Sequence, residues 1–346
     1  MASEIDRIDR IIGGFRGGAV GDALGEPVEF LSAQERKERW GDRGVEGYVH
    51  DGWGHFTDDT QMTLFTAEAL IVQAQTGEPL PIALHKAYLR WLLTQEIRPQ
   101  HLHPDQFDQE GFLLDHQELY QRMGPGRTCL TALARAWHLG MPAINDSKGC
   151  GGLMRVAPIG FWAALQGAQW PLERTFQVAS IAAQLTHGHP CGYLSAGAFA
   201  AILQEVCNDT PLNEATAFVC DYMEKLGETS KPTRSALEHA VALAESGASW
   251  TEAVDRLGAG WVAEEILATA VFLGWVADDF DSAIRLAANH PGDADSVGAI
   301  AGQLLGTVLG AGTIGSRWTD RIVAYSIVEN TALLLAGARQ QLASLS

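Results

Sequence analysis

Apolar residues recur at helical spacing along almost the whole chain, and strand-like alternation is nearly absent. Met62, Phe65, Ala69 and Val72 fall on one face of a 3.6-residue helix. Val297, Ile300, Ala301, Leu304, Leu305 and Val308 mark a second, longer face. The same period predicts helices near 5–24, 81–95, 127–140, 174–186, 190–206, 212–227, 233–246, 250–257, 262–276, 280–289 and 320–342. The best strand candidate is short, VEGYV at 45–49. No linker rich in Pro, Gly and Ser divides the chain, and no repeat of fixed period is visible. The expectation is one all-α domain spanning 1–346, with about fifteen helices of ordinary length.

Length and charge narrow the function. A chain of 346 residues buries about 75% of the surface its unfolded form would expose, enough for a sizeable core. Hydrophobic residues make up 47% and charged residues 19%, which excludes a disordered chain. Lys and Arg number 24 against 42 Asp and Glu, a net charge of −18. No basic stripe relieves that acidity, so no nucleic-acid partner is expected. A phosphate ligand would have to be held by backbone N–H groups or bound cations. Cys129, Cys150, Cys191, Cys207 and Cys220 are odd in number and form no C-x-x-C pair, the pattern of reduced thiols in a cytoplasmic protein. The charged start MASEIDRIDR lacks the apolar core of a secretory signal. The near-apolar run Val297–Ile314 carries Gln303, two threonines and five glycines. It reads as a buried helix, and no membrane association is expected.

Glycine is frequent where helices ordinarily exclude it, in GGFRGGAVGDALG (13–25) and AGQLLGTVLGAG (301–312). Each such glycine costs about 1 kcal/mol against alanine, and close helix–helix approach in a compact core is the compensating gain. The polar, weakly periodic segment 96–126 predicts a long loop or lid.

Acidic clusters stand at the starts of the two clearest helices. Thr57-Asp58-Asp59-Thr60 precedes the Met62 face, and Gly292-Asp293-Ala294-Asp295-Ser296 precedes the Val297 face. Capping explains any one of these residues, because Asp, Ser and Thr satisfy first-turn N–H groups and suit the macrodipole. It explains both clusters together less well. Only one residue can be the N-cap, and crowded carboxylates repel unless a cation neutralises them. Oxygen ligands without Cys or His suit Mg²⁺ or Mn²⁺ and disfavour Zn²⁺. Asp58, Asp59, Asp293 and Asp295 match the charge of two such ions, a pair able to orient substrate oxygens and activate a water.

Six segments in one order extend this pattern: GGAVGDALGEPVEF (17–30), FTDDTQMTL (56–64), PGRTCLTAL (125–133), SKGCGGLMRVAP (147–158), LTHGHP (185–190) and NHPGDADSVGAIAG (289–302). In these the chain resembles the ADP-ribosylglycohydrolase family, from about Gly17 to Trp318. The resemblance implies the family's compact single-domain orthogonal helical bundle. It implies hydrolysis at C1 of the distal ribose of an ADP-ribose conjugate. That conjugate is an ADP-ribosylated protein, arginine-linked foremost, or a small molecule such as O-acetyl-ADP-ribose or ADP-ribosylated guanidine. A relative without activity would instead be a non-catalytic ADP-ribose reader. A binuclear Mg²⁺ or Mn²⁺ centre is implied on Thr57, Asp58, Asp59, Asp293, Asp295 and Ser296, with Glu29 at the metals and in catalysis. Whether Glu29 or a metal-bound aspartate takes the proton from water stays open. Gly149, Cys150, Gly151 and Gly152 would bring N–H groups to the diphosphate. His187 would lie near the phosphates and ribose, and the protein is expected to be a monomer.

Several positions depart from the family pattern. Cys150 stands where many relatives have Asn, Ser296 where Thr is commoner, Pro291 where Gly is frequent and Lys148 where some have an aromatic. Cysteine is the poorer hydrogen-bond donor, which bears on arginine specificity. As a nucleophile Cys150 has no basic neighbour beyond Lys148, so a structural or ligand-lining role is expected. His101, His103, His116, Asp105, Asp108 and Asp115 read as a solvated loop rather than a zinc site. Asp278-Asp279 reads as another helix start, and Trp53, between Gly52 and Gly54, as a candidate wall of the site.

Overall fold

A computed structural model describes residues 3–107 and 111–343, so Asp108 lies outside the described residues. Its regular structure is helical throughout. The first half comprises α1 (Glu4–Gly25), α2 (Ala33–Trp40), α3 (Asp58–Thr76), α4 (Leu80–Thr94), α5 (Arg127–Ala134), α6 (Ala157–Gln166), α7 (Leu172–Gln184) and α8 (Pro190–Cys207). The second comprises α9 (Leu212–Lys225), α10 (Lys231–Glu245), α11 (Trp250–Leu257), α12 (Ala263–Val276), α13 (Phe280–Ala288), α14 (Ala294–Leu309), α15 (Ser316–Thr319) and α16 (Tyr325–Ala343). The fold is all-α, as the periodicity predicts. Three helices, α2, α6 and α15, escape that reading; α15 is a single turn, and the other two escape for opposite reasons. Residues Ala157–Leu165 of α6 are all buried, so no polar face sets a period. α2 is polar almost throughout. The helix expected at 127–140 stops at Ala134, and the one expected at 320–342 begins at Tyr325.

The strand expected at 45–49 does not form. Among the described residues there are isolated bridges, His50 with Trp53 and Gly54 with Ile322, but no sheet. Val45 instead pairs with a side chain. Its N–H donates to Asn289 Oδ1 at 2.8 Å, and Asn289 Nδ2 donates to its carbonyl at 2.8 Å. One amide thus meets the needs that a neighbouring strand would have met.

The glycines form a seam between the first and last thirds of the chain. Gly13, Gly17 and Gly21 of α1 face Gly306, Gly302 and Gly298 of α14, and Gly25 faces Ala294. A Cβ on any of these glycines would overlap a carbonyl oxygen of the opposite helix. The two backbones therefore touch, and the seam delivers the end of α1 to the start of α14. Gly302→Ala should destabilise the protein by up to about 2 kcal/mol, because overpacking of about 1–3 kcal/mol outweighs a helix-propensity gain of about 1. Chemical unfolding measures this, and a variant as stable as the parent would remove the seam's importance.

The 96–126 segment is irregular and His101, His103, Asp105 and Asp115 are exposed, as expected, but it is also tied down. Leu102, Phe107, Leu113 and Leu119 are buried in the apolar core. A fully buried ion pair holds its backbone. Arg90 donates to Glu68 Oε2 from Nε and Nη2, at 2.8 and 2.6 Å, and from Nη1 to the Phe107 carbonyl at 2.9 Å. Glu68 Oε1 accepts from the N–H groups of Phe112 and Leu113 at 2.7 and 2.8 Å. Every described oxygen and nitrogen of the pair's inner face is thereby used, the condition under which a buried pair is tolerated. His101 stacks on Trp137, and His103 caps the turn at Pro104–Gln106. All five cysteines are free, and among the described residues no helix is long and apolar enough to cross a membrane.

Candidate metal centre and ligand cleft

α3 starts at Asp58 because Thr57 is its N-cap, with Oγ1 accepting from the Asp59 N–H at 3.3 Å. α14 starts at Ala294 because Asp293 is its N-cap, accepting from the Ser296 N–H at 3.4 Å. Capping thus accounts for Thr57 and Asp293, with Asp295 Oδ1 also accepting from the Ser296 N–H at 2.9 Å, and leaves Asp58, Asp59 and the other oxygen of Asp295 for another task. The approach to Asp293 is fixed by Arg36, which donates to the carbonyls of Asn289, His290 and Pro291 at 3.2, 2.7 and 3.3 Å.

The two helix starts meet. Ser296 Oγ of α14 lies 3.3 Å from Asp59 Oδ2 of α3, across 237 positions of sequence. Glu29, on the turn that follows α1, joins them, with ligand oxygens of Glu29, Asp293 and Asp295 all within 4.8 Å of one another. Asp58 Oδ2 accepts from the Gly126 N–H at 3.0 Å, and the Asp58 N–H donates to the Met123 carbonyl at 3.0 Å. The tethered 96–126 segment therefore completes one wall. Asp58, Asp59, Asp293, Asp295, Ser296 and Glu29 all line one cleft of about 180 Å³.

Gly149, Cys150, Gly151 and His187 line the same cleft. A Cβ at Gly151 would come within 2.9 Å of His187 Cε1, so the turn needs glycine to pack there. Thr57 and Gly152 do not line it. Thr57 caps α3, and Gly152 is buried against Ala183. Cys150 sits among the carboxylates, its Sγ 3.1 Å from Asp293 Oδ2 and 3.3 Å from Ser296 Oγ. Burial and then Asp293 and Asp59 push its thiol well above the ordinary range, the reverse of an activated nucleophile. Lys148 pairs with Glu264, and His189 caps α8. Trp53 is not a wall of this cleft. It lines a separate recess with His50, His55 and Ile322.

Two features lay beyond the sequence reading. Asp22 is fully buried behind the centre and accepts four hydrogen bonds, two from the Thr57 N–H and one each from the Thr60 N–H and hydroxyl. A second cavity of about 620 Å³ adjoins the cleft through Arg127 and Thr128. It is lined by Arg135, the exposed indole of Trp137, Ile144 and the buried His85. His85 Nδ1 accepts from the Gly140 N–H at 3.0 Å, while its buried Nε2 has no partner.

The carboxylates crowd one another, and Arg127 is the single Lys or Arg among the described residues that line the cleft with them. Burial, followed by Asp293, Asp58, Asp22 and Glu26, pushes Glu29 up to about 8. Burial likewise raises Asp58 to about 8 and Asp22 to about 6, and holds Asp59 and Asp295 well above their usual range. The donor set fits hard divalent cations: oxygens from two helix starts, including Asp59 Oδ1, which is buried without a partner. A pH dependence follows. Carboxyls raised in the folded state bind more protons there than in the unfolded chain, from about pH 4 to about 8. Metal-free protein should therefore lose stability as pH rises through that window, and saturating Mn²⁺ should oppose the loss. Thermal midpoints at pH 5 and pH 8, in EDTA and in Mn²⁺, test this. A midpoint that rises with pH in EDTA would contradict it.

The chain is similar to known proteins over nearly its whole length. The sequence profile of the family described as ADP-ribosylglycohydrolase matches residues 3–344. An ADP-ribosylarginine hydrolase of Serratia proteamaculans is 26% identical over 337 residues, covering 96% of this chain and 80% of the relative. An ADP-ribosyl-[dinitrogen reductase] glycohydrolase of Rhodospirillum rubrum is 26% identical over 328 residues, covering 91% and 90%. A solved structure titled ADP-ribosylglycohydrolase-related protein complex superposes with a TM-score of 0.69 at 28% identity, covering 96% of this chain and 98% of its own.

Proposed function

The chain belongs to the ADP-ribosylglycohydrolase family and is an ADP-ribosyl hydrolase, and we propose that it frees ADP-ribose from arginine-linked conjugates at a binuclear Mg²⁺ or Mn²⁺ centre. One observation carries the reading: the two acidic helix starts meet at Ser296 and Asp59 beside the Gly149–Gly151 turn. Arginine is the favoured linkage because the Serratia relative is named for it.

Asp58, Asp59, Asp293 and Asp295 would hold the cations, with the Ser296 hydroxyl completing the oxygen set. Bound there, divalent cations supply positive charge for the distal-ribose hydroxyls and make a water more acidic. Glu29, half-buried, would take the proton of the attacking water once bound cations offset the burial and repulsion that raise its carboxyl. The C1–O bond forms as the C1–N bond breaks through an oxocarbenium-like state, and the proton passes to the departing guanidine nitrogen. The surrounding carboxylates suit the positive charge that develops on the ribose. N–H groups of the glycine turn face the diphosphate. The adjoining cavity takes the adenosine half, where the Trp137 indole offers a stacking face and His85 Nε2 an unused polar contact.

The test is release of free ADP-ribose from arginine-, serine- and acetyl-linked substrates, protein-bound and small, with Mg²⁺, Mn²⁺ or EDTA. The expected result is release from the arginine linkage that EDTA abolishes. Release unaffected by EDTA would refute the metal centre, and release from another linkage alone would refute the arginine assignment.

A further inference from the structure

Arg155 is a charged group that the mechanism above leaves unused. It is completely buried, and no carboxylate among the described residues pairs with it. Its Nη2 donates to the Ala182 carbonyl at 2.8 Å and to Thr186 Oγ1 at 2.7 Å. Its Nη1 meets two sulfurs, Met62 Sδ at 3.7 Å and Cys129 Sγ at 3.6 Å, and its Cζ lies 4.0 Å from the centre of the Tyr88 ring. A buried cation without an anion is expensive, so its placement calls for a purpose.

Thr186 carries the polarity onward. Besides accepting from Arg155, its Oγ1 lies 2.8 Å from His187 Nδ1 and 3.4 Å from the Ala183 carbonyl. The hydroxyl has one proton to give. Were Nδ1 protonated, Thr186 would accept from both neighbours and spend its proton on the long contact to Ala183. A second N–H would then crowd the guanidinium side. With Nδ1 bare, the proton enters the 2.8 Å bond, and the imidazole turns its lone pair toward the cation. On the other edge of the ring, Nε2 lies 3.4 Å from the Cβ position of Gly151 and 3.6 Å from that of Gly149. That edge faces the glycine turn of the cleft.

We infer that Arg155, acting through Thr186, locks His187 in the Nε2–H tautomer, so that the imidazole presents a fixed hydrogen-bond donor to the diphosphate of the ligand. Arg155 is in this sense a positioning residue, and Thr186 the link. The ligand assignment rests on the proposed function; the tautomer does not. Burial and the Arg155 charge also hold His187 down at about 3, so the ring keeps one proton at neutral pH.

Nitrogen–proton correlation spectra of the ligand-free full chain read the tautomer, with the His187 signals identified by their loss in His187→Ala. The expected pattern is a protonated Nε2 and a bare Nδ1. Thr186→Val should mix the tautomers and weaken ADP-ribose binding about tenfold, the scale of one hydrogen bond to a charged group. Thr186→Ser should restore both. Arg155→Met, in whatever fraction folds, should mix the tautomers as well. A protonated Nδ1 in the parent, or a Thr186→Val protein with the parent's spectrum or affinity, overturns the inference. A folded Arg155→Met protein with the parent's spectrum removes Arg155 from it. Failure of the parent to bind ADP-ribose at all refutes the proposed function and leaves the spectra to decide the tautomer.

Discussion

Asp295→Asn should reduce turnover by on the order of 10³-fold or more, about 4 kcal/mol of transition-state stabilisation, while the metal-free protein becomes no less stable. The two effects have opposite sign for one reason. Asp295 is buried and held well above the usual carboxylate range, by burial first and then by Asp59, Asp293 and Glu29. Removing its charge relieves repulsion among five clustered carboxylates that share one cleft with a single arginine, Arg127. The same removal takes away a ligand oxygen and part of the field around the distal ribose. Asp58→Asn should cost as much activity, but with some loss of stability, because Asp58 Oδ2 also accepts from the Gly126 N–H that anchors the neighbouring wall. Kinetics with saturating Mn²⁺ and thermal unfolding in EDTA separate the two effects. Parent-like turnover in either variant would refute the proposed centre.

Asp22→Ala should be damaging in the other direction, through the fold. Asp22 of α1 caps α3 from outside that helix, taking the Thr57 and Thr60 N–H groups and the Thr60 hydroxyl. Alanine leaves these buried donors without partners, at roughly 1–3 kcal/mol for each. A loss of about 4 kcal/mol or more is expected, together with loss of turnover, since the same turn carries Asp58 and Asp59. Asp22→Asn keeps one acceptor oxygen and should lose less. Denaturant unfolding of both variants measures the difference, and a stable, active Asp22→Ala protein would show that α3 starts correctly without help.

Asp22 also marks how far the site was legible. Asp58, Asp59, Asp293 and Asp295 could be singled out because they exceed what two helix starts need for capping. Asp22 sits inside a helix, among glycine and alanine, where no capping rule applies. The available signal was a lone carboxylate in an apolar, glycine-rich segment, a residue type that is rarely buried without partners. Similar reasons govern the fold. Helices with one apolar face were readable, whereas α6, buried on all sides, had no face to read. VEGYV has the composition of a strand, but Asn289 supplied its pairing from a distant position that leaves no local trace. The Glu68–Arg90 pair that ties down the 96–126 segment is equally invisible, because neither residue lies in that segment. Trp53 is near the TDDT motif in sequence, yet the turn at Asp51 and Gly52 carries the chain away to pair Gly54 with Ile322.

The glycine seam between α1 and α14 has a consequence for synthesis. Arg10 on α1 donates to the Thr307 carbonyl on α14, a partner 297 positions later. At about 5–20 residues per second, translation takes roughly 15–60 s to pass from one to the other. Throughout that time the glycine face of α1 lacks the helix it fits, although Phe15 can already meet Phe161 of α6 and Asp22 the start of α3. Glycine-rich, α1 is a weak helix on its own. The nascent chain therefore carries a first helix with one face uncovered until its last third emerges, and the two acidic helix starts are brought together among the final events of its production.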